Sequence, residues 1–176
     1  MIFKSYLVEQ NINILNKNLI LLFGENLGLK NEIKEKIKQA TDNFEKLILT
    51  QEDLLNNNEI LFNELVNVSL FDKKKIIFVE NASDKILKVI KEIEDKITDQ
   101  KVIFLSDILE KKSKIRNFFE KSKNAVAIAC YKDNELSIRK IITNELSAFN
   151  GLNAQTINLI IENSNLDRVK LKNELN

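Results

Sequence analysis

Residues that could bind a phosphate follow the apolar run 19–23, where it ends at Gly24. We call residues 24–31, GENLGLKN, the glycine loop. A loop that leads from a strand into a helix can bind phosphate, because free backbone amides at a helix start attract anions. A working phosphate loop has a glycine, four further residues, Gly-Lys, and then Ser or Thr. Here the spacing is one residue short, Leu29 precedes Lys30, and Asn31 lacks the hydroxyl that would hold magnesium.

Two further positions of an ATPase site can be checked against the same sequence. The metal-binding partner of a phosphate loop is an Asp, usually followed by Glu, at the end of an apolar strand. The run 76–79 ends in Glu80-Asn81 instead. Ser106-Asp107 ends a later strand where the γ-phosphate would be sensed, but a turn cap explains it better. We therefore expect no nucleotide hydrolysis and no bound cofactor, and we interpret Gly24 as a tight structural turn.

The composition excludes other kinds of chemistry. The 176 residues include no histidine and one cysteine, so the commonest general base is missing and no thiolate cluster can hold zinc. No catalytic residue and no metal site are expected. The 27 basic and 26 acidic residues nearly cancel, which favours neither a nucleic-acid coat nor a membrane-surface protein. Without a secretory signal or a membrane-spanning apolar run, a cytoplasmic location with no membrane partner is expected.

Strands and helices alternate through the first three quarters of the chain. Apolar runs typical of buried parallel strands occupy residues 19–23, 44–49, 76–79, 102–105 and 125–129. Helical patterns precede or follow them at residues 5–16, from Gly28, from Thr50, 83–97 and 114–121. This order predicts an α/β fold with a parallel five-stranded sheet that is flanked by helices.

Only helical patterns follow residue 131. They cover residues 135–148 and 154–162, separated by Asn150-Gly151, and a third begins near Leu166 and is still periodic at the last residues. Two and a half helices cannot easily enclose a core. We therefore expect an α/β domain over residues 1–131 and the start of a small all-helical domain, truncated, over residues 132–176.

The connection between the third strand and the helix before it carries three apolar residues, Val68, Leu70 and Phe71. Connections usually lie on the surface, so apolar residues there need an explanation. The side chains could fold back as a plug between helix and strand. Alternatively, Leu70 and Phe71 could insert into a pocket on a partner, as the central apolar residues of many interfaces do. Taken by themselves, the residues of this connection favour the plug, since loops often bury one apolar side chain.

Three segments in this order resemble the delta subunit of the bacterial DNA polymerase III clamp loader. They are Ser69-Leu70-Phe71-Asp72, the strand from Lys75 to Asn81, and residues 163–167, NSNLD, before the last helix. The resemblance covers the whole chain. It implies an AAA+ domain with a degenerate phosphate loop and part of the helical lid domain, without the C-terminal domain that forms the clamp-loader ring.

The resemblance implies a role that involves no chemistry of its own. Such a subunit binds the sliding clamp (the beta subunit) and helps to open the ring for loading onto primed DNA, while other clamp-loader subunits hydrolyse ATP. Val68, Leu70 and Phe71 match the clamp-binding positions, although Val68 is smaller than the methionine often found there. The resemblance therefore favours the partner-binding alternative over the plug. A nucleotide-dependent switch or ATPase on the same fold, and a structural adaptor that uses another face, remain alternatives.

Overall fold

The computed structural model describes residues 2–41, 43–66 and 74–175. Within them, six parallel strands form one sheet in the order β1-β6-β2-β5-β4-β3. The strands are β1 (Ile2–Lys4), β2 (Leu19–Phe23), β3 (Glu45–Thr50), β4 (Lys75–Glu80), β5 (Lys101–Ser106) and β6 (Ala125–Ala129). The predicted α/β class with a parallel sheet is confirmed.

Helices connect the strands, and after β6 the described chain forms helices only. Those of the α/β part are α1 (Ser5–Gln10), α2 (Leu27–Ala40), α3 (Gln51–Asn56), α4 (Ile60–Val66), α5 (Leu87–Ile93) and α6 (Lys114–Lys121). Short 3₁₀ helices occupy Ile12–Ile14 and Asp84–Ile86. After β6 come α7 (Glu135–Glu145), α8 (Ala154–Ser164) and α9 (Arg168–Leu175). No helix in the described ranges is long and apolar enough to cross a membrane.

Both faces of the four central strands, β6, β2, β5 and β4, are buried, which explains why these strands are apolar without alternation. In β2, Leu21 and Phe23 pack into the cluster beneath α3–α6, whereas Ile20 and Leu22 pack into the cluster beneath α1 and α2. All five β2 residues are buried. The strand and its neighbours thus form a rigid base for the loops at both edges of the sheet.

Helices α7–α9 enclose a separate apolar cluster. Ile138 and Ile142 of α7 pack with Ile161 of α8 and Leu171 of α9. We call residues 135–175 the helical part. The predicted boundary between two domains near residue 131 stays a prediction.

The structure corrects the sequence-based elements in two places. The sheet has six strands rather than five among the described residues, because Ile2–Lys4 forms an edge strand beside β6. A strand of three residues is too short to leave a periodic signal. The helix predicted over residues 83–97 is shorter, with a 3₁₀ turn at Asp84–Ile86 and an α-helix only over Leu87–Ile93.

Candidate functional site

The glycine loop lies at what we call the carboxyl edge of the sheet, the side formed by the C-terminal ends of its parallel strands. The amino edge is the opposite side, where the strands begin. Ligands of open α/β sheets bind at the carboxyl edge. Five backbone amides of the loop already donate to acceptors within the protein: those of Gly24, Asn26, Leu27, Leu29 and Lys30. Two of the acceptors are the carbonyl oxygens of Asp107, at 3.1 Å, and Cys130, at 3.0 Å. The amides that would surround a phosphate are therefore largely engaged.

Gly24 is required by the packing of this turn. Its φ is +130°, which other residues rarely adopt, and a Cβ atom there would lie 2.2 Å from the Cys130 carbonyl oxygen. The interpretation of Gly24 as a structural turn agrees with this geometry.

The lysine of the glycine loop is directed inward. Lys30 is only 5% exposed, and its Nζ donates to the Ser106 carbonyl oxygen at 2.9 Å. Its second partner is Asp107 Oδ1, at 3.4 Å. In a phosphate loop the lysine reaches the phosphates. Here the lysine ammonium group instead bonds to Ser106, and it thereby connects the start of α2 to the end of β5.

The carboxylate that follows the third predicted strand is also paired. Glu80 Oε1 lies 2.8 Å from Lys34 Nζ on α2. The nearby Ser106 hydroxyl donates to the Ala82 carbonyl oxygen, so it acts as a structural hydrogen-bond donor. In the described part of the chain, no cluster of three or more His, Cys, Asp or Glu side chains could hold a metal ion.

Arg168, the first residue of α9, is the centre of a buried ion-pair cluster. Its Nε and Nη2 atoms donate to the two carboxylate oxygens of Asp133, at 2.8 and 2.6 Å. Its Nη1 atom donates to Glu9 on α1, at 2.5 Å, and to Glu32 on α2, at 3.1 Å. Lys172 Nζ lies 3.2 Å from the other Glu32 oxygen. The guanidinium thus links both ends of the described chain to the first turns of α2.

The bond between Arg168 and Asp133 shifts the pKa values of both groups. Burial opposes ionisation of Asp133, but hydrogen bonds from Arg168, Asn26 and Ser137 outweigh it and keep the pKa of Asp133 below its ordinary value. Burial also lowers the pKa of Arg168, yet its bonds to Asp133 and Glu9 raise that pKa above the usual range. The contact thus favours the charged form of both groups.

Gly28 permits the close approach of α9 to the glycine loop. A Cβ atom on Gly28 would lie 2.7 Å from Arg168 Cβ and 3.2 Å from the Val169 nitrogen. Since Arg168 Cβ belongs to a side chain that is bonded at three sites, it has little room to move. A glycine inside a helical pattern is the sequence feature that could have indicated this contact.

A cleft of about 630 Å³ lies between the glycine loop and the segment before α9, and Asp133 and Arg168 of the ion-pair cluster form part of its lining. Its apolar rim includes Leu27, Leu166 and Val169, which are 58%, 38% and 39% exposed. Glu25 also lines it and would repel a phosphate. Leu166 has a φ of +58°, a strained value for a leucine.

The predicted clamp-binding residues Val68, Leu70 and Phe71 lie outside the described residues. What the structure describes are the flanking elements, α4 and β4. Because α4 ends and β4 begins there, these flanks lie at the amino edge of the sheet, opposite the glycine loop.

The two flanking elements, α4 and β4, make polar contacts that are partly exposed to solvent. Lys75 Nζ pairs with Glu64 Oε2 at 2.8 Å, and the Gln100 side-chain amide donates to the Leu65 carbonyl oxygen at 3.0 Å. Lys74 pairs with Asp99 at 3.5 Å, with both side chains more than half exposed. Val66, the last residue of α4, is 54% exposed. The amino edge thus offers accessible surface on the helix side of the segment.

Sequence reasoning missed the ion-pair cluster. Asp133 was expected only in a connecting segment, and no role was expected for Glu9, Glu32 or Arg168. The two residues of the Arg168–Glu9 pair are 159 positions apart, so no local pattern could indicate the contact. Gly28, as described above, carried the available signal.

No protein-family model matches the sequence, and no curated protein matches it either. Solved structures do match the fold. The Bacillus subtilis DNA clamp loader delta protein (YqeN) superposes with a TM-score of 0.66 at 12% identity, covering 97% of this chain and 56% of that one. The Rhizobiales Trip13 structure has a TM-score of 0.53 at 14% identity, covering 91% of this chain and 66% of its own. Caenorhabditis elegans PCH-2 has a TM-score of 0.56 at 12% identity, covering 96% and 57%.

These matches establish the fold. The chain has the α/β architecture and following helices of the clamp loader delta protein, and the other two structures are also AAA+ proteins. The expected resemblance is therefore confirmed at the level of the fold. The chain spans between 56% and 66% of the length of these three structures.

Proposed function

We propose that this chain acts as a clamp-loader delta subunit, which binds a sliding clamp and helps to open its ring without hydrolysing ATP. The observation that carries the proposal is the occupation of the carboxyl edge. Lys30, Glu80 and five loop amides, the groups that would bind phosphate and magnesium, are bonded to the protein itself. The likeness in fold to the clamp loader delta protein, over 97% of the chain, supports the same role.

The clamp would be held by Val68, Leu70 and Phe71. Burial of a leucine and a phenylalanine in a pocket on the clamp contributes about 2 to 5 kcal/mol. The sheet behind the flanks, buried on both faces, is stiff enough to transmit force from that contact to a ring interface. The work of this protein would then be mechanical.

The remaining partners follow from the same proposal. ATP hydrolysis would come from other clamp-loader subunits of the DNA polymerase III holoenzyme, and primed DNA would be met by the assembled complex. We also propose a cytoplasmic location, because bacterial clamp loading acts on DNA in the cytoplasm.

The direct test is a titration of the full chain against a bacterial sliding clamp, with Leu70→Ala/Phe71→Ala as the test variant. The chain offers a matched control, Leu136→Ala/Phe149→Ala, which removes one leucine and one phenylalanine that are 76% and 68% exposed on the helical part. We expect the test variant to lose binding and the control variant to retain it. Both variants should unfold at nearly the wild-type temperature.

The competing plug gives a different result. If Leu70 and Phe71 seal the gap between α4 and β4, the test variant will lose stability along with any binding. Retention of clamp binding by the test variant would also contradict the proposed site.

A nucleotide-dependent switch is the second candidate, and one observation favours it. The cleft of about 630 Å³ next to Gly28 and Leu166 is open beside the glycine loop. Titration with a fluorescent ATP analogue and magnesium separates the candidates. We expect no saturable binding, because Lys30 and the loop amides are already engaged. Saturable binding that Lys30→Met abolishes would establish the switch.

A further inference from the structure

We propose that Arg168 is an internal latch, which fixes the helical part on the α/β part. The latch consists of Arg168 and its three carboxylates, Glu9, Glu32 and Asp133. It does not depend on clamp binding.

The latch can close in one arrangement only. Glu9 belongs to α1, Glu32 to α2, and Asp133 to the segment between β6 and α7, while Arg168 begins α9. Only when α9 lies against the first turns of α2 can one guanidinium reach all three carboxylates. The Arg168 side chain is 2% exposed and that of Asp133 is 4% exposed, so water hardly competes for the bonds between these two residues. The Glu9 and Glu32 side chains are 25% and 16% exposed.

Separating Arg168 from its partners would be costly because the three carboxylates carry more negative charge than the nearby cations neutralise. Arg168 and Lys172 face the three carboxylates, which leaves an excess of one negative charge. Withdrawal of Arg168 would leave Glu9, Glu32 and Asp133 close together without their main cation. Breaking a buried pair by removing one partner is strongly destabilising. The same negative excess would repel an anionic ligand from the joint.

Steric fit at Gly28 supports the latch independently of charge. The absence of a Cβ at Gly28 allows Arg168 Cβ and the Val169 nitrogen to approach α2. Two unrelated features, a charge cluster and a close backbone contact, thus fix the same joint. A fixed joint suits a subunit that transmits force, because a loose one would absorb it.

The test measures the position of the helical part in the full chain. Spin labels are attached to Lys91→Cys on α5 and Gln155→Cys on α8, both exposed positions, while Cys130 is fully buried and stays unlabelled. The distance distribution between the labels is then recorded by pulsed electron spin resonance. We expect a narrow distribution in the otherwise wild-type protein and a clearly broader one with Arg168→Gln.

Arg139→Gln is the matched control. Arg139 bonds to Glu135 and Asn158, both within the helical part, so its loss removes an arginine without touching the joint. We expect this control to keep the narrow distribution. If Arg168→Gln does not fold, Arg168→Lys, which keeps the charge but loses the forked geometry, should still broaden it.

Hydrogen exchange gives a second measure. In the Arg168 variant, amides of residues 26–30 and 166–169 should exchange about tenfold faster or more, as when opening costs roughly 1.4 kcal/mol less. Exchange in β2 should not change. Addition of ATP and magnesium should leave the wild-type distances unaltered. An unchanged distribution in both Arg168 variants, or a shift on adding the nucleotide, would overturn the latch.

Discussion

At the carboxyl edge of the sheet, Lys30 of the glycine loop and the adjacent Arg168 are buried and bonded to neighbouring groups, whereas at the amino edge residues that flank 67–73 are accessible. Lys30 is 5% exposed at the first edge, and Val66 is 54% exposed at the second. The Arg168 side chain is 2% exposed, while Lys74 and Asp99 are 54% and 70% exposed. Charges thus stabilise the fold at one edge and stay available at the other.

This contrast is the structural difference that the proposed function depends on. Groups that could bind a ligand at the strand ends have become structural contacts. The opposite edge carries no comparable set of buried ion pairs among the residues described around it. If the two edges also differ in their contribution to stability, substitutions at the carboxyl edge should lower the free energy of unfolding more than comparable substitutions at the amino edge.

The largest expected effect belongs to Gly24→Ala, at the carboxyl edge. The positive φ and the clash with the Cys130 carbonyl oxygen should lower the free energy of unfolding by about 3 kcal/mol or more. Urea denaturation measures the loss. Gly151→Ala is the control, since Gly151 also has a positive φ, +89°, but open space around it. The free energy of unfolding of that variant should fall by about 1 kcal/mol. If Gly24→Ala and Gly151→Ala lowered it by the same amount, the close contact of Gly24 with Cys130 would not be important for stability.

The next effect is that of Asp133→Asn. The change removes a charge that accepts hydrogen bonds from Arg168, Asn26 and Ser137, and should lower the free energy of unfolding at pH 7 by about 2 kcal/mol. Thermal and urea unfolding measure it. A loss below that of an ordinary surface substitution would mean that the carboxyl edge is not stabilised by its ion pairs.

The same substitution predicts a pH dependence. The folded-state pKa of Asp133 is lowered, so its contribution is fully present above its unfolded pKa, about 3.9, and is lost as the pH falls through the folded value. The difference between the wild-type and Asp133→Asn stabilities should therefore be full at neutral pH, begin to shrink below about pH 4 and continue to shrink until the pH is below the folded pKa of Asp133. A difference that persists unchanged in acid would show that the charge of Asp133 is not responsible.

The smallest effect is expected at the amino edge, from Glu64→Gln. This is the same carboxylate-to-amide change, made in a pair with Lys75 whose glutamate side chain is 35% exposed. The loss should be about 0.5 kcal/mol and should shrink with added salt. A loss as large as that of Asp133→Asn would erase the energetic contrast between the edges.

The fold was predictable where it depends on local pattern. Apolar runs indicated five of the strands, and Thr50 with Asp53 forms a capping box at the start of α3, a contact between residues three positions apart. The β1 strand and the Arg168 cluster were missed, because both depend on residues distant in sequence. Val68, Leu70 and Phe71 stay a prediction.

The pairing of the first strand has a consequence for synthesis on the ribosome. Residues 2–4 pair with residues 127–129, and Glu9 bonds to Arg168. β1 therefore finds its partner strand only after residues 127–129 have left the ribosome, and Glu9 finds Arg168 later still. Until then the apolar side chains of β1, Ile2 and Phe3 among them, have no strand to join, so nascent chains should need protection from association during translation.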